Sequence, residues 1–135
     1  MQFPDWLTVY GSRRYRGDCP PESAEQVTFF NHLRRQYPNT WGVIAMHPRN
    51  EGKRRHQQTA RQKAEGMTPG ASDIIIPGAS TFVCELKRMD HTKSKWEVDQ
   101  LMYLEQCRDA GAFVCVALGW EAAMRAVDAW IKSVG

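Results

Sequence analysis

Gly70-Ala71-Ser72-Asp73-Ile74-Ile75-Ile76-Pro77, a break at Gly78-Ala79-Ser80, then Thr81-Phe82-Val83-Cys84-Glu85-Leu86-Lys87 is the stretch whose reading decides the fold. Both runs are rich in β-branched and aromatic residues, and the small residues between them read as a hairpin turn. Side chains alternate across a strand, so Glu85 and Lys87 share one face while Cys84 and Leu86 take the other. With Gly78 to Ser80 as the loop, Pro77 falls opposite Thr81 and Asp73 opposite Glu85. Directly opposed residues have Cβ atoms roughly 4.5–5.5 Å apart, and two like charges at that range are destabilising unless something positive lies between them. A divalent metal is the natural candidate. An oxygen-only pair, with no Cys or His beside it, suits a hard ion such as Mg²⁺ or Mn²⁺. Lys87 would stand next to that ion, placed to hold water or a developing phosphate charge.

Working outward, Asp73, eleven intervening residues and then Glu85-x-Lys87 resembles the motif of the PD-(D/E)XK nuclease superfamily. The longer context resembles its VRR-NUC branch, in the small stand-alone form found in phages and bacteria. Pro48-Arg49-Asn50-Glu51-Gly52 is similar to the Pro-x-Asn-Glu-Gly turn of that branch, and Ser72 stands where the motif's proline usually is. The resemblance spans residues 22–119 and implies an α/β, restriction-endonuclease-like three-layer α/β/α core with a mixed sheet in the order αβββαβ. It also implies a metal-dependent DNA endonuclease, with Asp73, Glu85 and the backbone carbonyl of Leu86 as ligands. Branched DNA such as a four-way (Holliday) junction is the substrate by analogy. A homodimer is expected because cutting two strands takes two active sites.

Upstream, residues 1–20 read as an irregular arm and 21–135 as one nuclease-like domain. Pro20-Pro21 opens a helix reaching about Tyr37, since proline is tolerated in a first turn. Its inward stripe is Gln26, Phe29, Phe30, Leu33 and Tyr37. A glutamate on this helix reaches the metal site in the family, and either Glu22 or Glu25 fits. Glu22 is favoured because it extends the stripe and precedes Gln26 by four. Acidic residues in a first turn also suit the helix dipole without further purpose. Trp41 to Met46 reads as the first strand.

The chain has 135 residues and a net charge of +3, enough for one core. From His47 to Lys63 there are six Lys or Arg and one Glu, a surplus of +5, leaving −2 elsewhere. A merely soluble helix would interleave acids with bases. Lys53, Arg54, Arg55, Arg61 and Lys63 are therefore expected to meet DNA phosphates, with Arg49 and His47 nearer the site. Gly66 would end this helix in the left-handed conformation.

Downstream, Ser94-Lys95-Trp96-Glu97 reads as a capping box opening a helix to about Ala110. Trp96, Gln100, Tyr103, Leu104 and Cys107 share its inner face. A glutamine in an apolar stripe is costly without partners. In the family the corresponding glutamine reaches the catalytic cluster, which implies that role for Gln100. Phe113 to Leu118 is a continuous apolar run, hence a buried strand parallel to its neighbour. A last helix runs from about Trp120 to Lys132.

Cys19, Cys84, Cys107 and Cys115 show no CxxC and no zinc spacing with histidine, so a reduced cytoplasmic setting without zinc is expected, in a bacterial or phage-infected cell. No apolar run reaches the roughly 18 residues of a membrane helix. A P-loop, a G-x-S-x-G elbow and HExxH are all missing from the sequence. Two rival readings remain: a non-cleaving DNA-binding module of the same fold, and a regulatory or assembly protein whose acids merely pair with the basic helix.

Overall fold

The strand Phe82–Lys87 (β3) is buried at every one of its positions, which requires cover on both faces and both edges. A computed structural model describes residues 1–48 and 56–134, with backbone alone for 56–59. On one edge β3 pairs antiparallel with Ile74–Ile76 (β2), in the register Ile76↔Phe82, Ile75↔Val83 and Ile74↔Cys84. Carried one step further, that register sets Asp73 against Glu85. On the other edge β3 runs parallel to Phe113–Leu118 (β4), with Cys84↔Cys115 and Glu85↔Val116.

The fourth strand comes from the segment read as an irregular arm. Thr8–Tyr10 (β1) pairs parallel with β4, giving the sheet order β1-β4-β3-β2. Leu7 is buried just ahead of it. Three residues are too short for alternation to stand out from the Gly, Pro and Arg around them, which is why the arm expectation fails here.

A second correction concerns Trp41–Met46. Trp41–Ile44 forms a short helix (α2), and only Met46 pairs, through an antiparallel bridge to Ile75. The αβββαβ order therefore survives with its first strand reduced to a single bridge. The cause is local crowding: a Cβ on Gly42 would lie 2.6 Å from the Tyr37 carbonyl and 2.8 Å from the Arg34 Cα. The chain turns tightly against the end of Glu22–Gln36 (α1), and Trp41 packs edge-on to Trp130 at 4.9 Å. A six-residue apolar run cannot by itself distinguish strand from buried turn.

Helices complete three layers. Phe82, Cys84 and Leu86, with Ile74, Ile76, Cys115 and Ala117, face α1 and Trp120–Val134 (named α5 below). Trp130 is fully buried there, and its indole N–H donates to the Ser80 carbonyl at 2.7 Å, pinning the hairpin loop. The opposite face carries Val83 and Val116 under Leu104 of Gln100–Asp109 (α4). His56–Ala64 (α3) precedes β2, and Gly66 beyond it has φ +103, the left-handed conformation expected of its C-terminal stop.

The capping box does not form. A 3₁₀ turn spans His91–Lys93, and α4 starts only at Gln100. The Ser94 hydroxyl is engaged elsewhere, donating to Glu22 and accepting from the Arg88 amide. The Glu97 amide instead meets the side-chain oxygen of Gln100 at 2.8 Å. Trp96 consequently lies off the helix, in the loop before it. The helix start is tight: Asp99 has φ +72, and its carbonyl lies 2.3 Å from where a Cβ on Gly70 would be. Gly70 is thus required by close backbone approach as well as by its own φ of +74.

Candidate active site

At the end of β3 the polar face opens into a cleft of about 480 Å³, lined by Asp73, Glu85, Lys87, Glu22 and Gln100 among others. Four elements supply them. Asp73 enters β2, Glu85 and Lys87 lie two apart on β3, Glu22 begins α1, and Gln100 begins α4.

Glu85 is 1% exposed. Its Oε1 accepts from the Gln100 amide at 3.0 Å, while Oε2 is buried without a partner. Burial first, and then the Asp73 carboxylate, push the Glu85 carboxyl well above its usual range; Lys87 pulls the other way. Asp73 is anchored by the Leu86 amide, which donates to its Oδ2 at 2.9 Å.

Lys87 is 2% exposed and held from several sides. Its ammonium donates to the Lys95 carbonyl at 2.7 Å and to Gln100 Oε1 at 3.0 Å. Glu22 Oε1 lies 3.8 Å away, and the Trp96 ring lies beneath at 5.4 Å. Gln100 is the joint of the cluster: its oxygen takes Lys87 and the Glu97 amide, and its nitrogen serves Glu85. A half-buried glutamine with both ends engaged has one amide orientation that satisfies all partners.

The two first-turn glutamates part company. Glu22 turns into the cleft, where burial raises its carboxyl while Lys87 and Ser94 offset part of that rise. Glu25 points away, and its Oε2 accepts from the Trp120 amide at 2.6 Å, capping α5. Gly119 leaves room for that contact, since a Cβ there would lie 2.7 Å from the same oxygen. Glu25, carried as a candidate catalytic residue, is therefore a helix cap outside the cleft.

The basic segment divides. Arg49, Lys53, Arg54 and Arg55, with the Pro-x-Asn-Glu-Gly turn beyond Pro48, lie outside the described residues. Arg61 is exposed and pairs with Glu65 at 2.9 Å, Lys63 is exposed, and neither lines the cleft. His47 does come close, with Nδ1 2.8 Å from the Asp73 carbonyl.

Sequence reasoning missed the loop that follows Lys87. It supplies the Lys95 carbonyl, the Trp96 ring and the Ser94 hydroxyl, and residues 1–20 hold it in place. Trp96 donates to the Gln2 carbonyl at 2.7 Å, and Lys93 to the Gly17 carbonyl at 2.9 Å. The Gly17 amide donates to Asp90 at 3.0 Å, and Arg88 to the Pro20 and Cys19 carbonyls. Hydrogen bonds from Thr92 and then from Gly17 hold the Asp90 carboxyl down at about 2. These contacts join residues far apart in sequence, and no local pattern announces them.

Among the described residues, no three His, Cys, Asp or Glu side chains gather as a ready-made metal cage. The acidic set is a pair, Asp73 and Glu85, with Glu22 drawn toward Lys87. The donor chemistry still fits a hard divalent ion. Both groups are oxygen ligands, one oxygen is buried and unpartnered, and the Asp73 carboxylate adds to the cost of ionising Glu85.

A solved structure described as a "VRR_NUC domain protein" superposes on 90% of this chain and 93% of its own length, with a TM-score of 0.71 at 21% identity. The chain has the VRR-NUC fold. No family model matches it, and neither does any curated protein. On the VRR-NUC fold, the cleft lies where β2 and β3 leave the sheet and α1 and α4 both begin, so four short elements converge on it. No helix among the described residues is long and apolar enough to cross a membrane.

Proposed function

We propose that the protein is a divalent-metal-dependent endonuclease that hydrolyses DNA phosphodiester bonds. The observation that carries this reading is the buried Glu85 carboxyl, set against Asp73 with one oxygen unpartnered and the Lys87 ammonium close by. A structural ion pair would leave neither a lone buried oxygen nor two crowded acids.

Asp73 and Glu85 would hold Mg²⁺ or Mn²⁺. Leu86 would add its carbonyl, since the N–H and C=O of one strand residue face the same edge and its N–H already meets Asp73. Such an ion, when bound, supplies a Lewis acid that offsets phosphate charge and makes water more acidic. The remaining roles belong to the chain. Lys87 is a fixed cation that orients water and stabilises charge growing on the phosphate oxygens. Two acceptors, the Lys95 carbonyl and Gln100 Oε1, fix its position. Gln100 locks Glu85 and Lys87 in register with one another. Glu22 balances Lys87 and holds water at the cleft mouth.

The small footprint of a 135-residue domain favours recognition of DNA shape. Branched substrates cut by a symmetric pair of subunits are the version we propose. Cleavage of a labelled panel (junction, flap, duplex, single strand) with Mg²⁺, Mn²⁺ or EDTA tests it. Metal-dependent cutting with a preference for branched substrate is expected. Binding without cutting in any metal would leave a DNA-binding module, and binding indifferent to salt would remove nucleic acid altogether.

A further inference from the structure

A second concavity lies along α1 from Glu22. One turn along α1, Gln26 opens a groove of about 250 Å³ lined by Gln26, Val27, Phe30, Asn31, Arg34 and His47. Two anchors place it beside the cleft. Gln26 follows Glu22 by four residues on the same stripe of α1, and His47 touches the Asp73 carbonyl at 2.8 Å.

Its chemistry differs from the cleft's. The cleft mixes four carboxylates, Glu22, Asp73, Glu85 and Glu97, with the ammonium groups of Lys87, Lys93 and Lys95. Among the described residues lining the groove none is a carboxylate; its polar groups are two amides, an imidazole and a guanidinium. Arg34 lies over the Phe30 ring at 5.2 Å, an arrangement that orients the guanidinium plane. Val27 is 62% exposed on a helix whose other large apolar groups, Phe29, Phe30 and Leu33, are buried, so it forms an open apolar step in the groove wall.

We propose that this groove is a second phosphodiester-binding subsite. It seats the DNA strand on one side of the scissile phosphate, with Arg34 and His47 on a backbone phosphate and Gln26 and Asn31 on phosphate or sugar oxygens. Val27 packs against a sugar or base face. This rests on the nuclease reading and adds the path of the strand to it. Along α1, Glu22 to Arg34 is twelve residues, about 18 Å at 1.5 Å per residue, so the far end of the groove reaches about five nucleotides at duplex rise.

The test uses the full chain carrying Lys87→Met, which should bind without cutting. Fluorescence anisotropy follows labelled duplexes of graded length, with Ca²⁺ present, across a salt series. Arg34→Ala should weaken binding about tenfold and lower the salt slope by about one. Arg34→Lys should restore the slope. Val27→Asp, at an exposed position, should weaken binding comparably while leaving the melting temperature unchanged. Arg125→Ala on α5 is the control. Duplexes trimmed by five or more nucleotides on one side should no longer distinguish Arg34→Ala from its parent. Unchanged affinity in both Arg34→Ala and Val27→Asp overturns the subsite while leaving the nuclease reading standing. A parent protein that binds no DNA at any salt removes both.

Discussion

The two faces of β3 are equally buried and held by opposite means. On one face Phe82, Cys84 and Leu86 meet α1 and α5 through apolar packing, closed by the Trp130 ring 5.5 Å from Phe82. On the other, Val83 is covered by Leu104, but Glu85 and Lys87 are covered by polar groups and by each other's field. Six consecutive residues are almost without solvent contact, so burial alone does not separate core from site. The partners do: the packed face meets ring and aliphatic groups, and the other sets a buried carboxyl oxygen, unpartnered but for the crowding Asp73 carboxyl, beside an ammonium.

The comparison breaks most sharply at Lys87. Lys87→Met should lower cleavage kcat about 10³-fold, roughly 4 kcal/mol of transition-state stabilisation, while circular dichroism and DNA affinity stay near the parent's. A variant cutting at the parent's rate would move the chemistry elsewhere. Trp130→Ala is the counterpart on the packed face. It should cost about 3–5 kcal/mol in urea unfolding, with kcat per folded molecule little changed. Loss of activity at full foldedness would mean that the two faces are coupled.

A finer distinction separates two glutamates three residues apart. Glu25→Ala should cost about 1–2 kcal/mol of stability, because the Trp120 amide loses its charged acceptor, and should spare kcat. Glu22→Gln should do the opposite, lowering kcat about tenfold with little change in melting. Reversed results would exchange their roles.

The smallest expected effect is a pH slope. The Glu85 carboxyl is raised in the folded chain, so its contribution to stability is full below the ordinary carboxylate range and is lost as pH rises through the raised value. In EDTA, thermal melts should therefore weaken on going from mildly acidic to alkaline buffer, and Glu85→Gln should flatten that trend. Added Mg²⁺ should restore stability at high pH and release protons as it binds. A parent and a Glu85→Gln variant with parallel pH curves would remove this account.

What could be read in advance follows from how far apart the deciding residues are. The turn Gly78–Ser80 and period-two alternation locate Asp73 opposite Glu85, because a hairpin register is a local matter. Gln100 could be suspected because an amide in an apolar stripe demands partners. Phe113–Leu118 and the stop at Gly111 (φ +98) are local too. The failures are long-range. Ser94 carries a capping-box signature, yet its hydroxyl binds Glu22, 72 residues away. β1 exists only because β4 offers it an edge, and α2 forms where Gly42 presses on α1. Helical spacing alone favours Glu22 over Glu25 only weakly, and what separates them is the position of the α5 amide, 95 residues beyond Glu25.

Gln100 joins Glu85 and Lys87 through the two ends of one amide, and that has a bearing on how such a site can change over time. Exchanging Glu85 strands the amide nitrogen and exchanging Lys87 leaves the amide oxygen to the Glu97 N–H alone, so the penalties of altering them overlap instead of adding. A lineage that has lost one of the two gains little by keeping the other. Activity on this scaffold should therefore disappear in one step, with the trio decaying together, and a homologue that has lost the acid should seldom retain the lysine.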